Sequence, residues 1–346
     1  MSKSTVKATI LDIARELNVT ASTVSRALND HPAISEATRK AVQQTAKRLK
    51  YQPNKIASSL RSGKTRILGV IIPSAEINFF GSVLHGIEKV ANENNYNVLI
   101  YQSNEDIDYE KKGIDTFIRL KVDGVIASIS KETTSLTHYK EIKKRGIPLI
   151  LFDRANDELG VPSVTVNDYQ GAFKATQHLI DQGCLTIAHI GGQQHVSIFK
   201  QRLEGYKEAL RENGLSIDER LIKQGKISIQ SGYSCMEELL HQDPVPDGVF
   251  AVEDFTALGV MQAIKAANKQ MPDDIAVIGF ANEAFGSYIT PSLSTVDQQT
   301  RKMGIHVAQL FFNLTQKKTF HKSPPVKQIL EPVLIFRDSS LRKRME

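Results

Sequence analysis

From residue 67 onward the chain alternates short apolar runs with longer amphipathic stretches, and that alternation leaves few folds open. Runs rich in Val, Ile and Leu fall at 67–72, 97–102, 125–128, 149–152 and 163–166, and again at 186–190, 221–224, 249–252 and 275–279. Between them, apolar residues recur at helical spacing over 80–94, 108–120, 168–182, 199–213, 230–241, 256–267 and 303–314. Strand–helix alternation of this kind is the signature of parallel sheets covered by crossover helices. Two such series in tandem predict two doubly wound lobes with a cleft between them; short strands at 294–297, 326–330 and 333–336 close the chain. In open parallel sheets ligands sit beyond the carboxyl ends of strands. Those ends carry Ser74, Gln102, Ser103, Ser128, Asp153, Gly191, Gly192, Asp254 and residues 280–282. Singly, each is an ordinary turn former; their common placement beside Phe79, Phe80 and Phe152 predicts a site for a small polyhydroxylated or heterocyclic ligand.

The segment before residue 66 is different in kind. Ile10, Ile13, Ala14 and Leu17 are spaced i, i+3, i+4, i+7, and Thr9 with Asp12 forms a capping-box-like start. Thr20 opens a second short helix with Val24, Ala27 and Leu28 on its apolar face. Its other face carries Ala21, Ser22, Thr23, Ser25 and Arg26. Two short helices joined by a tight turn, the second polar outside, make a helix-turn-helix DNA reader. A hairpin that binds nothing shares the periodicity, so charge decides. Residues 1–65 hold 12 Lys+Arg against 4 Asp+Glu, and the chain totals of 44 and 38 leave 32 and 34 for the remainder. The whole basic excess sits on the segment that holds the motif, as phosphate binding requires.

After Ser35 a third helix places Ala41, Val42, Thr45 and Leu49 inward. Residues 55–61 are too few for a helix to persist alone in water. With Ile56, Ala57 and Leu60 on one small face, the segment needs a partner, such as its twin in a second subunit. Ser62-Gly63-Lys64-Thr65 resembles the end of a phosphate loop, but Ser58 stands where the leading glycine belongs and no strand precedes it, which excludes a nucleotide site.

The remaining features narrow the class. No apolar run approaches the roughly 20 residues that span a bilayer, and the N-terminus has no signal-peptide core. Two cysteines without a CxxC, and nine scattered histidines, predict neither metal nor cofactor and a reduced cytoplasmic setting. The absence of G-x-S-x-G and H-E-x-x-H argues against an enzyme. A plain solute-binding receptor, or an activator built on the same ligand domain, is the alternative; the receptor leaves the basic head unexplained.

The blocks ILDIARELNVTASTVSRALN, YQPNKIASSLRSGKT and ILGVIIP resemble the lac/purine repressor (LacI–GalR) family of bacterial transcription regulators. The match continues through VDGVI, IPLILFDR, GAFKATQHLIDQG, RLEGY, ALGVMQAI, DIAVIGFANE and ITPSLSTVDQ, and so covers essentially the whole chain. The resemblance implies an all-α helix-turn-helix head (1–52), a hinge helix and linker (53–65), and an α/β, periplasmic-binding-protein-like core (66–346). Its N-lobe would comprise 66–166 with 297–327, its C-lobe 167–296 with 328–346. It further implies a homodimer on a palindromic double-stranded operator, controlled by a small-molecule effector. By position, Ala21, Ser22 and Arg26 match base-reading side chains. Thr9, Thr23, Ser25, Asn29, Tyr51 and Asn54 match phosphate contacts, and Ala57 and Leu60 the minor-groove wedge. Effector positions fall on Phe79, Phe80, Asp153, Val196, Ile198, Arg202, Ile227, Glu253, Asp254, Ala281 and Asn282. The family often has Asp where this chain has Ala281, with Asn282 and Glu283 following, so a clasping carboxylate is missing or displaced. Apolar Val196 and Ile198 disfavour a purine and favour a sugar or sugar derivative. The tail lacks a long heptad repeat, which favours a dimer over a tetramer.

Overall fold

The computed structural model describes residues 8–51, 63–316 and 324–342, which form two units, Met1–Thr65 and Arg66–Glu346. Asn54, Ala57, Leu60 and the rest of the expected hinge lie outside the described residues.

The first unit is a three-helix head: α1 (Ile10–Glu16), α2 (Ala21–Leu28) and α3 (Glu36–Arg48). Each start follows its capping residue. The Asp12 carboxylate accepts from the Thr9 amide at 2.8 Å and its hydroxyl at 2.7 Å; Thr20 accepts from the Thr23 amide and Ser35 from the Thr38 amide. Ile13, Ala14, Val24, Ala27, Val42 and Ala46 form the core, a small one that caps and helix spacing suffice to specify.

In the second unit, the N-lobe is a six-stranded parallel sheet in the order β11–β5–β4–β3–β1–β2. Its strands are β1 (Ile67–Ile72), β2 (Asn97–Gln102), β3 (Gly124–Ala127), β4 (Leu149–Phe152), β5 (Ser163–Val166) and β11 (Lys327–Leu330). Side chains alternate between faces, as the two-residue strand period demands. Leu68, Val70, Ile72, Ile150 and Phe152 pack under α4 (Asn78–Glu93) and α11 (Thr300–Gln316). Ile71, Val125, Ala127, Leu149 and Leu151 pack under α5 (Ile107–Leu120) and α6 (Thr137–Lys144).

The C-lobe sheet runs β7–β6–β8–β9, also parallel: β6 (Ile187–Gly191), β7 (Ile222–Gln224), β8 (Gly248–Ala251) and β9 (Ala276–Ile278). Helices α7 (Asp168–Asp181) and α8 (Ser197–Glu212) cover one face, α9 (Ile229–Leu240) and α10 (Asp254–Ala266) the other. An antiparallel pair, β10 (Thr295–Asp297) with β12 (Val333–Ile335), lies against this lobe, Val296 in its core and Leu334 on it.

The expected lobe boundary at 327/328 is corrected by strand pairing. Residues Lys327–Leu330 pair in parallel with Ser163–Val166 and so belong to the N-lobe; the chain returns to the C-lobe only with β12. Three connections therefore join the lobes: after β5, after β10 and after β11. Several elements also start earlier than expected. Helix α4 begins at Asn78, α8 at Ser197 and α10 at Asp254, because none is announced by a Ser, Thr, Asp or Asn cap; Ile77, Val196 and Glu253 hold those positions. Among the described residues no helix is long and apolar enough to cross a membrane.

Three of the four helix pairs cross on glycine. A Cβ at Gly304 would strike the Val83 carbonyl, one at Gly205 the Tyr169 carbonyl, and one at Gly259 the Ile229 carbonyl. Close backbone approach is what lets each pair sit flat on its sheet. Gly304→Val should therefore lower stability by about 1–3 kcal/mol in urea unfolding, as overpacking does. Gly81→Ala, in α4 with open space around it, should be neutral or stabilising by up to about 1 kcal/mol. Equal losses from both would show that the glycines matter for another reason.

Candidate functional site

The head presents one polar surface. Ser22 and Arg26 on α2 are exposed, and the Arg26 guanidinium has no partner among the described residues. A free, planar, five-donor cation on an exposed helix face can take two acceptors of one guanine edge. Around it, several expected contact residues already do local work. Thr23 and Ser22 hydroxyls bond the Thr20 hydroxyl at 2.8 and 2.7 Å, and the Asn29 amide donates to the Ser25 carbonyl at 2.7 Å. Thr9 is exposed beside Asp12. Two expected contact residues also pack inward. Ala21, placed on the outer face by periodicity, is half-buried and packs against the head's core, and so does Tyr51. For Ala21 the physical reason is its place in the first turn, beside the tight bend from α1.

In the second unit the lobes enclose a cavity of about 590 Å³, within the usual range for a small-ligand site. From the N-lobe come Phe79 and Phe80, on the first turn of α4, and Asp153, directly after β4. From the C-lobe come Ile198, Arg202, Ile227, Glu253 and Ala281. Backbone strain accompanies them: Asp153 has φ +57° and Ala281 φ +135°. Side-chain-bearing residues at positive φ cost free energy and gather where a site requires a particular turn.

Three expected members stand apart. Val196 lines an adjoining hollow of about 710 Å³ rather than the cavity itself. Asp254 is fully buried and structural. It accepts from the Thr295 hydroxyl at 2.7 Å and the Glu283 amide at 2.7 Å, joining α10 to the chain after β9. Asn282 turns away, donating to Asp297 at 3.3 Å and accepting from Arg337 at 2.9 Å. The carboxylate absent at Ala281 is displaced by two residues: Glu283, 3% exposed, lines the cavity. Glu105, Lys131, Arg154, Phe199 and Phe255 also line it and were missed. Arg154 adjoins Asp153 in sequence and Glu105 follows β2, so strand-end position was the available signal for both.

The buried charges are arranged with few loose ends. The Arg202 guanidinium bonds Asp168 at 2.7 and 2.8 Å and the Val252 carbonyl at 2.7 Å, and lies 3.6 Å over the Phe280 ring. Burial nonetheless pushes the Asp168 carboxyl up to about 6, against the pull of Arg202. Burial raises Asp153 too, opposed by Arg154 and Arg202. Glu253 is pushed up to about 8, first by burial and then by the neighbouring Asp254 and Glu283 charges. Across the cleft, His195 Nε2 donates to the Lys131 carbonyl at 2.8 Å. Glu110, buried under α6, accepts from the Ser130 amide, the Thr133 hydroxyl, His138 and the Tyr139 hydroxyl, and so fixes the loop that carries Lys131. Among the described residues no group of three His, Cys, Asp or Glu could hold a metal ion.

A basic helix-turn-helix head in one chain with a two-lobed receptor domain defines a ligand-controlled DNA-binding regulator. The chain belongs to the LacI family: residues 9–54 match the family of bacterial regulatory proteins of that name, and residues 65–331 match the periplasmic binding proteins and sugar binding domain of LacI family. It is 34% identical to catabolite control protein A of Priestia megaterium over 316 residues (91% of this chain, 95% of that protein). It is also 34% identical to the ribose operon repressor of Halalkalibacterium halodurans over 325 residues (93% and 96%). Among solved structures, the transcriptional regulator CelR–cellobiose complex matches at TM-score 0.72 and 28% identity, covering 96% of this chain and 99% of that one. The lac repressor dimer bound to operator and the anti-inducer ONPF matches at TM-score 0.86 and 23% identity (97% and 100%), a likeness of fold.

The raised Glu253 carboxyl has a pH consequence. In an unfolded chain Glu titrates near about 4.3. With the folded value higher, its contribution to stability is complete below that value and is lost as pH rises through about 8. The ligand-free protein should lose Tm between pH 5 and 9, and Glu253→Gln, which cannot ionise, should lose less. Parallel Tm–pH curves for the two proteins would refute this assignment.

Proposed function

We propose that this protein is a dimeric transcriptional repressor that binds a palindromic operator through its head and is controlled by a sugar or sugar derivative in the cavity between the lobes. One observation carries the reading: an exposed Arg26 on a basic head and a carboxylate- and phenylalanine-lined cavity occur in the same chain. In this reading α2 enters the major groove, where Ser22 and Arg26 meet base edges, Arg26 facing a guanine. Thr9, Thr23, Ser25 and Asn29, with Tyr51 and Asn54, approach phosphates, and Ala57 and Leu60 form an apolar wedge in the minor groove. The relatives support a sugar: one is named for the ribose operon, one structure is a cellobiose complex, and another carries bound ribose. Phenylalanines and hydrogen-bonding carboxylates in one cavity suit a ligand with apolar ring faces and hydroxyl edges. The protein acts in the cytoplasm, where its operator is.

Effector binding changes the relation of the two lobes and through it the operator affinity, a coupling between separate sites. Fluorescence anisotropy on a palindromic duplex chosen by in vitro selection should show affinity falling steeply with salt. Arg26→Ala should weaken specific binding by about 1–3 kcal/mol and relax discrimination at one base of each half-site. If Arg26→Ala bound the selected duplex as tightly as wild type, with the same base preference, the docking would be wrong.

A further inference from the structure

We propose that the cavity takes an uncharged or amino-bearing sugar and excludes phosphorylated and carboxylated sugars, because carboxylates outnumber cations in its lining and each cation already has a carboxylate beside it. The proposal rests on the reading of the cavity as the effector site and narrows the chemistry of what enters it.

The charges lining the cavity are five carboxylates, Glu76, Glu105, Asp153, Glu253 and Glu283, against Lys131, Arg154 and Arg202. Each cation has a carboxylate beside it. Arg154 Nη1 lies 2.8 and 2.9 Å from the two Glu105 oxygens, its buried Nε makes no hydrogen bond and faces Asp153 at 3.8 Å, and Lys131 Nζ is in ion-pair range of Glu105 at 3.8 Å. Arg202 spends three contacts on Asp168 and the Val252 carbonyl, with its face on Phe280. An arriving phosphate would meet a carboxylate beside every one of these cations, and drawing a cation away would leave a buried charge short of its partner, which is costly.

Apart from Arg154 Nε, the open capacity is on the carboxylates. Glu283 Oε1 is buried with no hydrogen-bond partner, an acceptor waiting for a donor. Glu253 is tied only to its own helix start, where it accepts from the Phe255 amide at 2.8 Å. Asp153 receives one long bond, from the Ser128 hydroxyl at 3.3 Å. Helix ends offer an anion little compensation. The start of α4 has no side-chain cap of its own, and Glu283 lies against its Phe79 amide. The start of α8 places Val196 and Ser197 on the adjoining hollow instead.

Proton affinity agrees with this inventory. Burial first, and then mutual repulsion, raises both Glu253, to about 8, and Glu283. Asp254 acts on both and Glu283 on Glu253; Arg337 opposes Asp254 behind them, and Glu76, Glu105, Asp153, Arg154 and Arg202 line the same cavity. A cleft that draws a proton to relieve its own charge has no surplus positive charge to offer an anion. It accepts an ammonium group in that proton's place, and it accepts neutral hydroxyls as donors to Glu283 and Asp153. Phe79, Phe199 and Phe255 give the ring's apolar faces something to cover.

The test uses the full-length protein and matched probes: glucose, ribose, galactose and cellobiose, with glucosamine, glucose 6-phosphate, ribose 5-phosphate, glucuronate and galacturonate. Thermal shift finds which bind and calorimetry measures them. At least one neutral or amino sugar should bind about ten-fold or more tightly than its anionic counterpart. An anionic sugar binding more tightly than its neutral parent overturns the charge rule and leaves the effector reading standing. A panel in which no sugar of either charge binds removes the effector reading and this proposal together. Glu283→Gln, with folding checked by operator binding, should weaken the neutral ligand about ten-fold and narrow its advantage over the anionic one. Glu253→Gln gives the same readout if the first variant does not fold. An unchanged neutral-to-anionic ratio in the folded variant would show that these carboxylates do not set the selection.

Discussion

Parallel pairing in both main sheets is the constraint from which the architecture follows. A parallel strand can be followed only by a crossover, and the crossover helices must bury both sheet faces. Strand carboxyl ends thereby collect on one edge of each lobe. Asp153 and Ala281 stand at such ends, after β4 and β9, and Glu253 starts the helix that follows β8. The cavity is thus a by-product of topology that particular side chains then specialise. Arg202 shows how: one guanidinium joins α8 to α7 through Asp168, to the end of β8 through Val252, and to Phe280 beyond β9. A buried pair of this kind is weak evidence for stability but strong evidence for fixed geometry, since loss of either partner leaves an uncompensated charge.

The chain could be read far into its fold because local and global signals agree. Strand alternation placed β1 to β6 within a residue or two, and caps at Thr9, Thr20 and Ser35 located the three head helices. What escaped has physical causes. Three helices that open on or beside the cavity start on Ile77, Val196 and Glu253, which no capping rule picks out. Strand β11 was divided between lobes because the pattern of four residues does not say which sheet edge will take them; pairing with β5 does.

Site residues were legible where position alone decides and opaque where side-chain direction does. Phe79 and Asp153 line the cavity as their places in the chain imply, and Arg202 and Glu253 line it at positions that the family resemblance implies. Asp254 adjoins Glu253 yet points into the lobe, because successive residues at a helix start diverge; Asn282 and Glu283 exchange roles for the same reason. Ala21 illustrates the limit in the head. A small residue in the first turn of α2 can sit on either side of the helix boundary, and here it is half-buried against the core.

The three crossings between lobes also order the assembly of the molecule in time. The helices of the head end at Arg48, and its contacts are local, so it can fold as soon as its own residues are available. The N-lobe cannot. Its sheet lacks the β11 edge, and α4 lacks its partner α11, until nearly the whole chain has been made. During synthesis, which proceeds from the N-terminus, a reader of DNA exists before the domain that governs it. No single cut separates one lobe intact from the other, so the governing domain is completed as a whole or not at all.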